Sequence, residues 1–161
     1  MKKVFPLKKL KKIISEQKSK GKTIVLANGC FDLIHVGHIR YLRRAKKTGD
    51  ILVVALNSDS SVFKLKGMGR PILNQNQRAE ILSSFEFVDY ICLFNEKDVS
   101  NILLALKPDI QTKGSDYTKE TVPEKDIVHN YGGKIAIVGG PKIKSTSEII
   151  LEISKKKNVH S

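Results

Sequence analysis

Residues 23–38 read TIVLANGCFDLIHVGH and join an apolar run to the start of a helical pattern. The run at 23–27 has no alternation of polar and apolar residues, which is typical of a strand buried on both faces. His35 and His38 then stand three residues apart around Gly37, and a helical pattern covers about 37–47. Because a strand leads directly into a helix, this stretch favours an α/β fold.

The same alternation of strand and helix continues along the chain. Further strands are predicted at 51–56, 88–94, 109–112 and 134–139, and further helices at about 75–85, 97–106, 123–131 and 146–155. Asn74 and Gln77 form a capping-box pattern ahead of the helix at 75–85. Strict alternation indicates right-handed β-α-β units. We therefore expect a doubly wound, Rossmann-like α/β fold with a five-stranded parallel sheet, in a single domain over residues 1–161.

A lysine-rich helix is predicted at about 7–19, ahead of the first strand. Leu7, Leu10 and Ile14 lie on one face of it. That face favours packing against the rest of the domain, and the alternative is a helix that lies on a membrane surface.

Composition restricts the class of protein. The net charge is +13, but the 29 Lys and Arg residues are spread along the whole chain, and the motifs of nucleic-acid-binding domains are missing. We therefore expect small phosphorylated anions as ligands, and no nucleic acid. Cys30 and Cys92 are too few for a disulfide framework, and neither a membrane span nor a secretory signal is evident. A cytoplasmic protein without a membrane partner is the expectation.

The two histidines predict a phosphate site. Ligands of open α/β sheets bind beyond the carboxyl ends of the strands, where this stretch lies. His35 and His38 share one helical face, Gly37 leaves room for an anion, and the helix N-terminus supplies free N–H groups. Two alternatives remain open at this point. One is a zinc pair completed by Cys30, Asp32 or His129, and the other is a pair of ordinary helix-start histidines.

The string GCFDLIHVGH resembles the first signature of the cytidylyltransferase-like nucleotidyltransferase superfamily. Together with GRPILNQNQRAEIL, VDYICLF, KPDIQTKGSDY and KSTSEII, it is similar to the D-glycero-β-D-manno-heptose 1-phosphate adenylyltransferase branch over about residues 20–153. The sequence departs from that branch at Val36, where proline is usual, and at KSTSEII, where the signature has Ser-Thr-Thr.

The resemblance implies transfer of AMP from ATP to heptose 1-phosphate, with Mg²⁺, to give ADP-heptose and pyrophosphate. An anionic acceptor needs no protein base, so cations and hydrogen-bond donors should dominate the site. The implied catalytic residues are His35, His38, Lys64 and Lys66, although either lysine alone could be an ordinary surface residue. The implied nucleotide-binding residues are Asn28, Gly29, Cys30, Phe31, Gly37, His38, Lys113, Gly114, Ser145, Thr146 and Ser147.

The acceptor is expected to contact Arg78, Asp32 and Asp116. Arg78 matches an arginine that binds the acceptor phosphate in relatives, and its forked guanidinium suits that task. Asp116 follows Gly114 and could bind an acceptor hydroxyl or help to position Mg²⁺, with a plain Asx-turn as its alternative. The metal ligands are not identified.

Two other functions stay open. One is a cytidylyltransferase acting on glycerol 3-phosphate or a similar phosphate, and the other is a non-catalytic nucleotide- or RNA-binding module. The resemblance also implies a homodimer. A chain of this length has no room for the sugar kinase domain that is fused to some relatives, so a separate kinase is expected.

Overall fold

The computed structural model describes residues 2–140 and 146–157, without the side chains of residues 147, 154, 156 and 157. Helices and strands alternate along almost the whole of this range. The elements are α1 (Leu7–Ser19), β1 (Ile24–Gly29), α2 (Val36–Lys46), β2 (Ile51–Asn57), α3 (Asp59–Lys66), α4 (Gln75–Ser84), β3 (Tyr90–Phe94), α5 (Ser100–Leu106), β4 (Ile110–Lys113), α6 (Lys125–Asn130), β5 (Lys134–Ile137) and α7 (Thr146–Lys157).

The five strands form one parallel sheet in the order β3-β2-β1-β4-β5. The central strands β1 and β2 are almost entirely buried, as their continuous apolar runs predicted. One core cluster, which includes Leu10, Ile14 and Leu103, joins α1 and α5 to one face of the sheet. A second cluster, which includes Leu42 and Leu82, joins α2 and α4 to the other face. The expectation of a doubly wound α/β fold is therefore confirmed.

The sequence predictions differ from the structure in one helix and at several boundaries. Helix α3 was not predicted, and it begins at an N-cap formed by Ser58, whose hydroxyl accepts from the N–H of Ser61. Helix α5 begins at Ser100 rather than at 97, because Asp98 accepts a hydrogen bond from the Ser100 N–H in the preceding turn. The capping box of Asn74 and Gln77 is present at the start of α4.

A short N-terminal segment pairs with the edge of the sheet. Val4 forms a parallel bridge with Ile91 of β3. The Phe5 N–H donates to the Ile91 carbonyl (2.9 Å), and the Ile91 N–H donates to the Lys3 carbonyl (2.8 Å). The Lys3 ammonium group also donates to the Phe85 carbonyl (2.7 Å). Helix α1 continues from this segment, with Leu10 and Ile14 buried.

Within the described ranges, no helix has the length and the apolar character that crossing a membrane requires.

Candidate active site

A cavity of about 810 Å³ lies at the carboxyl ends of the strands. The last residues of four neighbouring strands line it, namely Gly29 of β1, Asn57 of β2, Phe94 of β3 and Lys113 of β4. The strand order reverses direction between β1 and β4, which is where ligands bind in open α/β sheets. The fold therefore places the cavity where the sequence predicted a ligand site.

The loop after β1 has an unusual backbone that shapes the cavity wall. Phe31 and Leu33 both have positive φ angles, 47° and 43°, a conformation that costs an L-residue about 1–2 kcal/mol. The Phe31 ring is buried and meets the His38 ring edge-on, with centroids 5.4 Å apart. A Cβ atom on Gly29 would lie 3.2 Å from the Phe31 ring, so Gly29 allows this close packing.

The two histidines meet in a capping box at the start of α2. His35 is the N-cap residue, and its Nδ1 accepts from the Gly37 N–H (3.1 Å). His38 reaches back, and its Nδ1 accepts from the His35 N–H (3.4 Å). The ring centroids are 4.0 Å apart. The sequence correctly predicted that the imidazoles come together, but the cap, rather than a shared helical face, joins them.

Both imidazoles are neutral at physiological pH. Burial lowers the pKa of His38 to about 4, and the neighbouring His35 adds to this shift. Burial also lowers the pKa of His35. Because each Nδ1 accepts a hydrogen bond, the proton of each neutral ring lies on Nε2. Both histidines line the cavity, so the pair can offer it neutral N–H donors.

Gly37 lines the cavity, and the structure adds a second reason for a glycine there. Its missing side chain is expected to make room for an anion. In addition, a Cβ atom there would lie 2.8 Å from Cε1 and 2.9 Å from Nδ1 of His35. Gly37 therefore leaves room for the His35 imidazole and helps to position that ring.

The zinc interpretation of these histidines is wrong. Their Nδ1 atoms already accept backbone hydrogen bonds. Among residues 2–140 and 146–157, no three His, Cys, Asp or Glu side chains are placed to hold a metal ion together. Cys30 lines the cavity, but burial raises the pKa of its thiol, which keeps the sulfur protonated and poorly nucleophilic.

Asp32 holds the loop that follows α3. Its carboxylate accepts from Nε of Arg70 (2.8 Å), from the Ile72 N–H (2.9 Å) and from the Leu73 N–H (3.0 Å). Burial alone would raise the pKa of Asp32, but the two backbone donors and the guanidinium outweigh burial and hold this pKa below its usual range. Asp32 lines the cavity as predicted, yet its oxygens bind protein groups already.

Arg78 does not occupy the place predicted for an acceptor ligand. Its side chain is fully buried and is not part of the cavity lining. Nε donates to the Leu73 carbonyl, Nη1 to the carbonyls of Cys30 (2.6 Å) and Asn57 (2.8 Å), and Nη2 to Asp59 (2.7 Å). The guanidinium therefore joins the ends of several loops by hydrogen bonds beneath the site. Because these bonds occupy it, no edge of the guanidinium remains for a phosphate.

The two lysines of α3 differ in position. Lys66, the last residue of the helix, lines the cavity, whereas Lys64 is exposed and lies outside the lining. The helix turns successive residues by about 100°, so residues two apart point in different directions. The structure therefore selects Lys66 as the candidate cation and corrects the placement of Lys64.

The end of β4 adds a second cation to the cavity. Lys113 is buried, and its ammonium group lies 3.1 and 3.2 Å from the two carboxylate oxygens of Glu124. The ammonium group also lies 5.4 Å from the centroid of the Tyr117 ring. Gly114 and the exposed Asp116 follow on the same wall.

Of the three hydroxyl residues around the start of α7, the structure describes one fully. Thr146 lines the cavity, and its hydroxyl donates to the Asp32 carbonyl (2.8 Å). This bond joins the start of α7 to the loop after β1. Ser145 and the side chain of Ser147 lie outside the described residues.

Several lining residues were not predicted. Arg40, Arg70, Lys97 and Glu124 all line the cavity. Arg40 follows His38 by two residues and Arg70 lies within KGMGRP. The sequence does not show in which direction a charged side chain on a helix or loop points. Asn28 was predicted, and its buried Oδ1 has no partner within the described residues, which leaves it available to a ligand donor.

The donor set can be tested against Mg²⁺. Two cavity carboxylates, Asp32 and Glu124, are already bound to cations, and Asp98 and Asp116 are exposed. Such a set offers at most one or two carboxylate ligands. That arrangement fits Mg²⁺ that is held mainly by nucleotide phosphates and water, as is usual in phosphoryl-transfer sites.

Comparisons with known proteins identify the family of the chain. The family described as Cytidylyltransferase-like matches residues 26–159. The bifunctional protein HldE of Syntrophotalea carbinolica is 44% identical over 144 residues, which cover 89% of this chain and 29% of that protein. HldE of Geobacter metallireducens is 47% identical over 141 residues, which cover 88% of this chain and 29% of that protein. The chain thus spans less than a third of the length of these relatives.

The chain also resembles solved structures. A lipopolysaccharide core biosynthesis protein from Thermoplasma volcanium aligns with a TM-score of 0.61 at 32% identity, over 74% of this chain and 99% of that one. A pantoate-beta-alanine ligase from Francisella tularensis aligns with a TM-score of 0.61 at 19% identity, over 89% of this chain and 68% of that one, and supports the fold alone. The family match and the first of these structures show that the chain belongs to the cytidylyltransferase-like family of nucleotidyltransferases.

Proposed function

We propose that the chain transfers AMP from ATP to D-glycero-β-D-manno-heptose 1-phosphate, giving ADP-heptose and pyrophosphate. The observation that carries this proposal is the pair of neutral imidazoles, capped at the start of α2 and facing a cavity rich in cations. The names of the relatives support the choice of substrate, because one is a lipopolysaccharide core biosynthesis protein and others are HldE proteins. Sequence strings of the heptose branch support it further.

The reaction requires the protein to align two phosphates and to stabilise their charge. An oxygen of the acceptor phosphate attacks the α-phosphorus of ATP, and pyrophosphate leaves with the pair of electrons of the broken P–O bond. The nucleophile is already an anion at neutral pH, so alignment and stabilisation of charge are what remains to be supplied. The cavity offers donors and cations for that purpose, and none of the described residues that line it is an activated nucleophile.

Each element of the site has a proposed task. The Nε2–H groups of His35 and His38 donate to the nucleotide phosphates, whose charge grows on the leaving oxygens. Lys66 approaches these phosphates from the β2 side, and Lys113 approaches them from the β4 side. When bound with the nucleotide, Mg²⁺ would neutralise part of the polyphosphate charge, and the exposed Asp116, which lines the cavity, would help to orient its water shell.

Other predicted residues of the cavity are also proposed to contact the nucleotide. Asn28, Gly29, Cys30 and Phe31 form the wall beside the imidazoles. Gly114, whose Cβ position is open, lets the ligand approach the backbone after β4. Thr146 lies at the start of α7, where helix N–H groups attract anions.

The experiment measures initial rates of pyrophosphate release for ATP and CTP, each with heptose 1-phosphate and with glycerol 3-phosphate. We expect ATP with heptose 1-phosphate to be the best pair and CTP to be at least about tenfold slower, since one mismatched contact is worth about 1–3 kcal/mol. Faster turnover of CTP with glycerol 3-phosphate would replace the substrate assignment by the cytidylyltransferase alternative. No release from any pair would contradict catalysis itself and favour a binding module.

We further propose that the enzyme is a homodimer acting in the cytoplasm, in the supply of activated heptose for bacterial surface polysaccharide. Light scattering of the purified chain tests the dimer directly, because a mass near 36 kDa is expected for two chains of 18.0 kDa.

A further inference from the structure

Arg70 presents one edge of its guanidinium to a buried carboxylate, and among the described residues the other edge has no partner. Its side chain is 14% exposed, that of Asp32 is 1% exposed, and Nε lies 2.8 Å from Oδ2 of Asp32. The Nη1 and Nη2 atoms make no hydrogen bond or ion pair with the residues that the structure describes. Arg70 also lines the cavity. Four N–H donors of a largely buried arginine are therefore not used by residues 2–140 and 146–157.

Asp32 fixes the direction of this arginine. The carboxylate is itself held by the backbone N–H groups of Ile72 and Leu73, so it cannot rotate without breaking three hydrogen bonds. These donors keep the carboxylate ionised, and the ion pair then persists through the neutral pH range. A guanidinium fixed in advance loses little conformational entropy when it binds an anion.

The other cations of the cavity differ from Arg70. Lys113 is paired with Glu124, and Arg78 is wholly occupied outside the lining. Arg40, Lys66 and Lys97 are exposed, so a bound anion must order their side chains. Arg70 combines burial, a fixed orientation and free paired donors.

Its position also separates it from the β4 groups assigned to the nucleotide, whereas Lys66 lies on the same side of the cavity as Arg70. Arg70 follows α3 and so belongs to the β2 side of the cavity, together with the loop held by Asp32. Gly114 and Lys113 lie at the end of β4, on the other side of β1. A phosphate near Arg70 would therefore approach the imidazole pair from the side opposite the β4 wall.

We propose that Arg70 binds the phosphate of the acceptor, with Asp32 as its positioning residue. This inference rests on the proposed nucleotidyl transfer, and it gives Arg70 the task that Arg78 cannot perform. Two parallel N–H···O bonds from a planar fork fix both the position and the rotation of a phosphate. One remaining phosphate oxygen can then point at the α-phosphorus, which is the alignment that transfer needs.

The test compares Arg70→Lys with the wild type and with Arg43→Lys as a matched control. Arg43 is an exposed arginine of α2 that lies over the Phe87 ring, 5.4 Å from its centroid, and it does not line the cavity. We expect Arg70→Lys to raise KM for heptose 1-phosphate about tenfold or more and to change KM for ATP less than about twofold. Arg43→Lys should match the wild type in both. An equal or larger change in KM for ATP would overturn the proposal, as would no change in either constant.

The role of Asp32 is tested with Asp32→Asn alone and in combination with Arg70→Lys. A positioning residue should raise KM for the acceptor in the single variant and add less than about twofold once Arg70 is replaced, because the two act through one contact. Multiplicative effects would show that Asp32 acts independently, for example through Ile72 and Leu73, and would refute its positioning role.

Direct binding keeps this inference separate from the proposed function. Isothermal titration of wild type and Arg70→Lys with heptose 1-phosphate, and separately with glycerol 3-phosphate, needs no turnover. Weaker binding of either acceptor by the variant, without turnover in the wild type, would support the phosphate site while contradicting the transfer reaction. Unchanged binding by the variant would refute the phosphate site even in an active enzyme.

Discussion

Replacing Gly37 with alanine should abolish most activity and leave stability almost unchanged. The new Cβ atom would lie 2.8 Å from Cε1 and 2.9 Å from Nδ1 of His35, closer than such atoms approach in proteins. Gly37 is the second residue of α2, so its backbone accepts alanine without strain. The imidazole must therefore leave its place, and its hydrogen bond to the Gly37 N–H breaks.

Two opposing effects then act on stability. Loss of an N-cap side chain costs typically about 1 kcal/mol, and alanine is favoured over glycine inside a helix by up to about 1 kcal/mol. The net change in the free energy of unfolding should thus be small. The displaced ring no longer donates to the phosphates, and losing one oriented donor slows such reactions about 10²-fold, or about 2.7 kcal/mol.

The measurements are kcat from pyrophosphate release and the free energy of unfolding from urea denaturation. Val36→Ala is the control, because Val36 is the neighbouring first residue of the same helix, is 46% exposed and does not line the cavity. We expect this control to retain kcat within about twofold. If Gly37→Ala kept a wild-type kcat, the position of the His35 ring would be irrelevant to turnover, and the reasoning from the cap would be refuted.

Three further predictions concern other groups of the site. The pKa of His38 is about 4 in the folded chain and 6.5 when unfolded, so the contribution of His38 to the free energy of unfolding should be complete above pH 6.5 and should fall as the pH drops towards 4. NMR titration of His38 and unfolding at each pH check this, and a folded pKa near 6.5 would contradict it. Arg78→Met should lower the free energy of unfolding by about 3 kcal/mol, since carbonyls of the loop ends lose a buried donor; urea denaturation measures it, and normal stability with a raised acceptor KM would restore the original prediction for Arg78. Lys66→Ala should raise KM for ATP about tenfold while Lys64→Ala stays within about twofold, and the reverse order would reject the orientation of α3.

The sheet and the ligand end of β1 could be predicted because their signals are local. Continuous apolar runs mark buried strands, and a strand followed by a helix start marks the site at the sheet edge. Helix α3 escaped prediction because it has only eight residues and buries just two of them, Ser61 and Val62. With so small a buried face, it lacks the apolar repeat by which a helix is recognised.

The individual side chains of the site were less predictable, since their direction depends on tertiary contacts. Arg78 and Arg70 have the same chemistry in sequence, yet one is inserted beneath the loops and the other faces the cavity. Gly37 was recognised as necessary, but whether a glycine makes room for a ligand or for its own neighbour depends on the rotamer of His35. Asp32 likewise looked like a ligand for the acceptor until its three protein donors were located.

The N-terminal segment that pairs with β3 has a consequence for how the molecule behaves in a crowded solution. An unpaired sheet edge is a template on which strands of other molecules can add, and this is a common route to aggregation. Here the backbone of Ile91 is already bonded on its outer side by Lys3 and Phe5. The chain thereby caps the β3 edge of its own sheet at Ile91, so a cytidylyltransferase-like enzyme with these residues is protected there from strand addition by its neighbours.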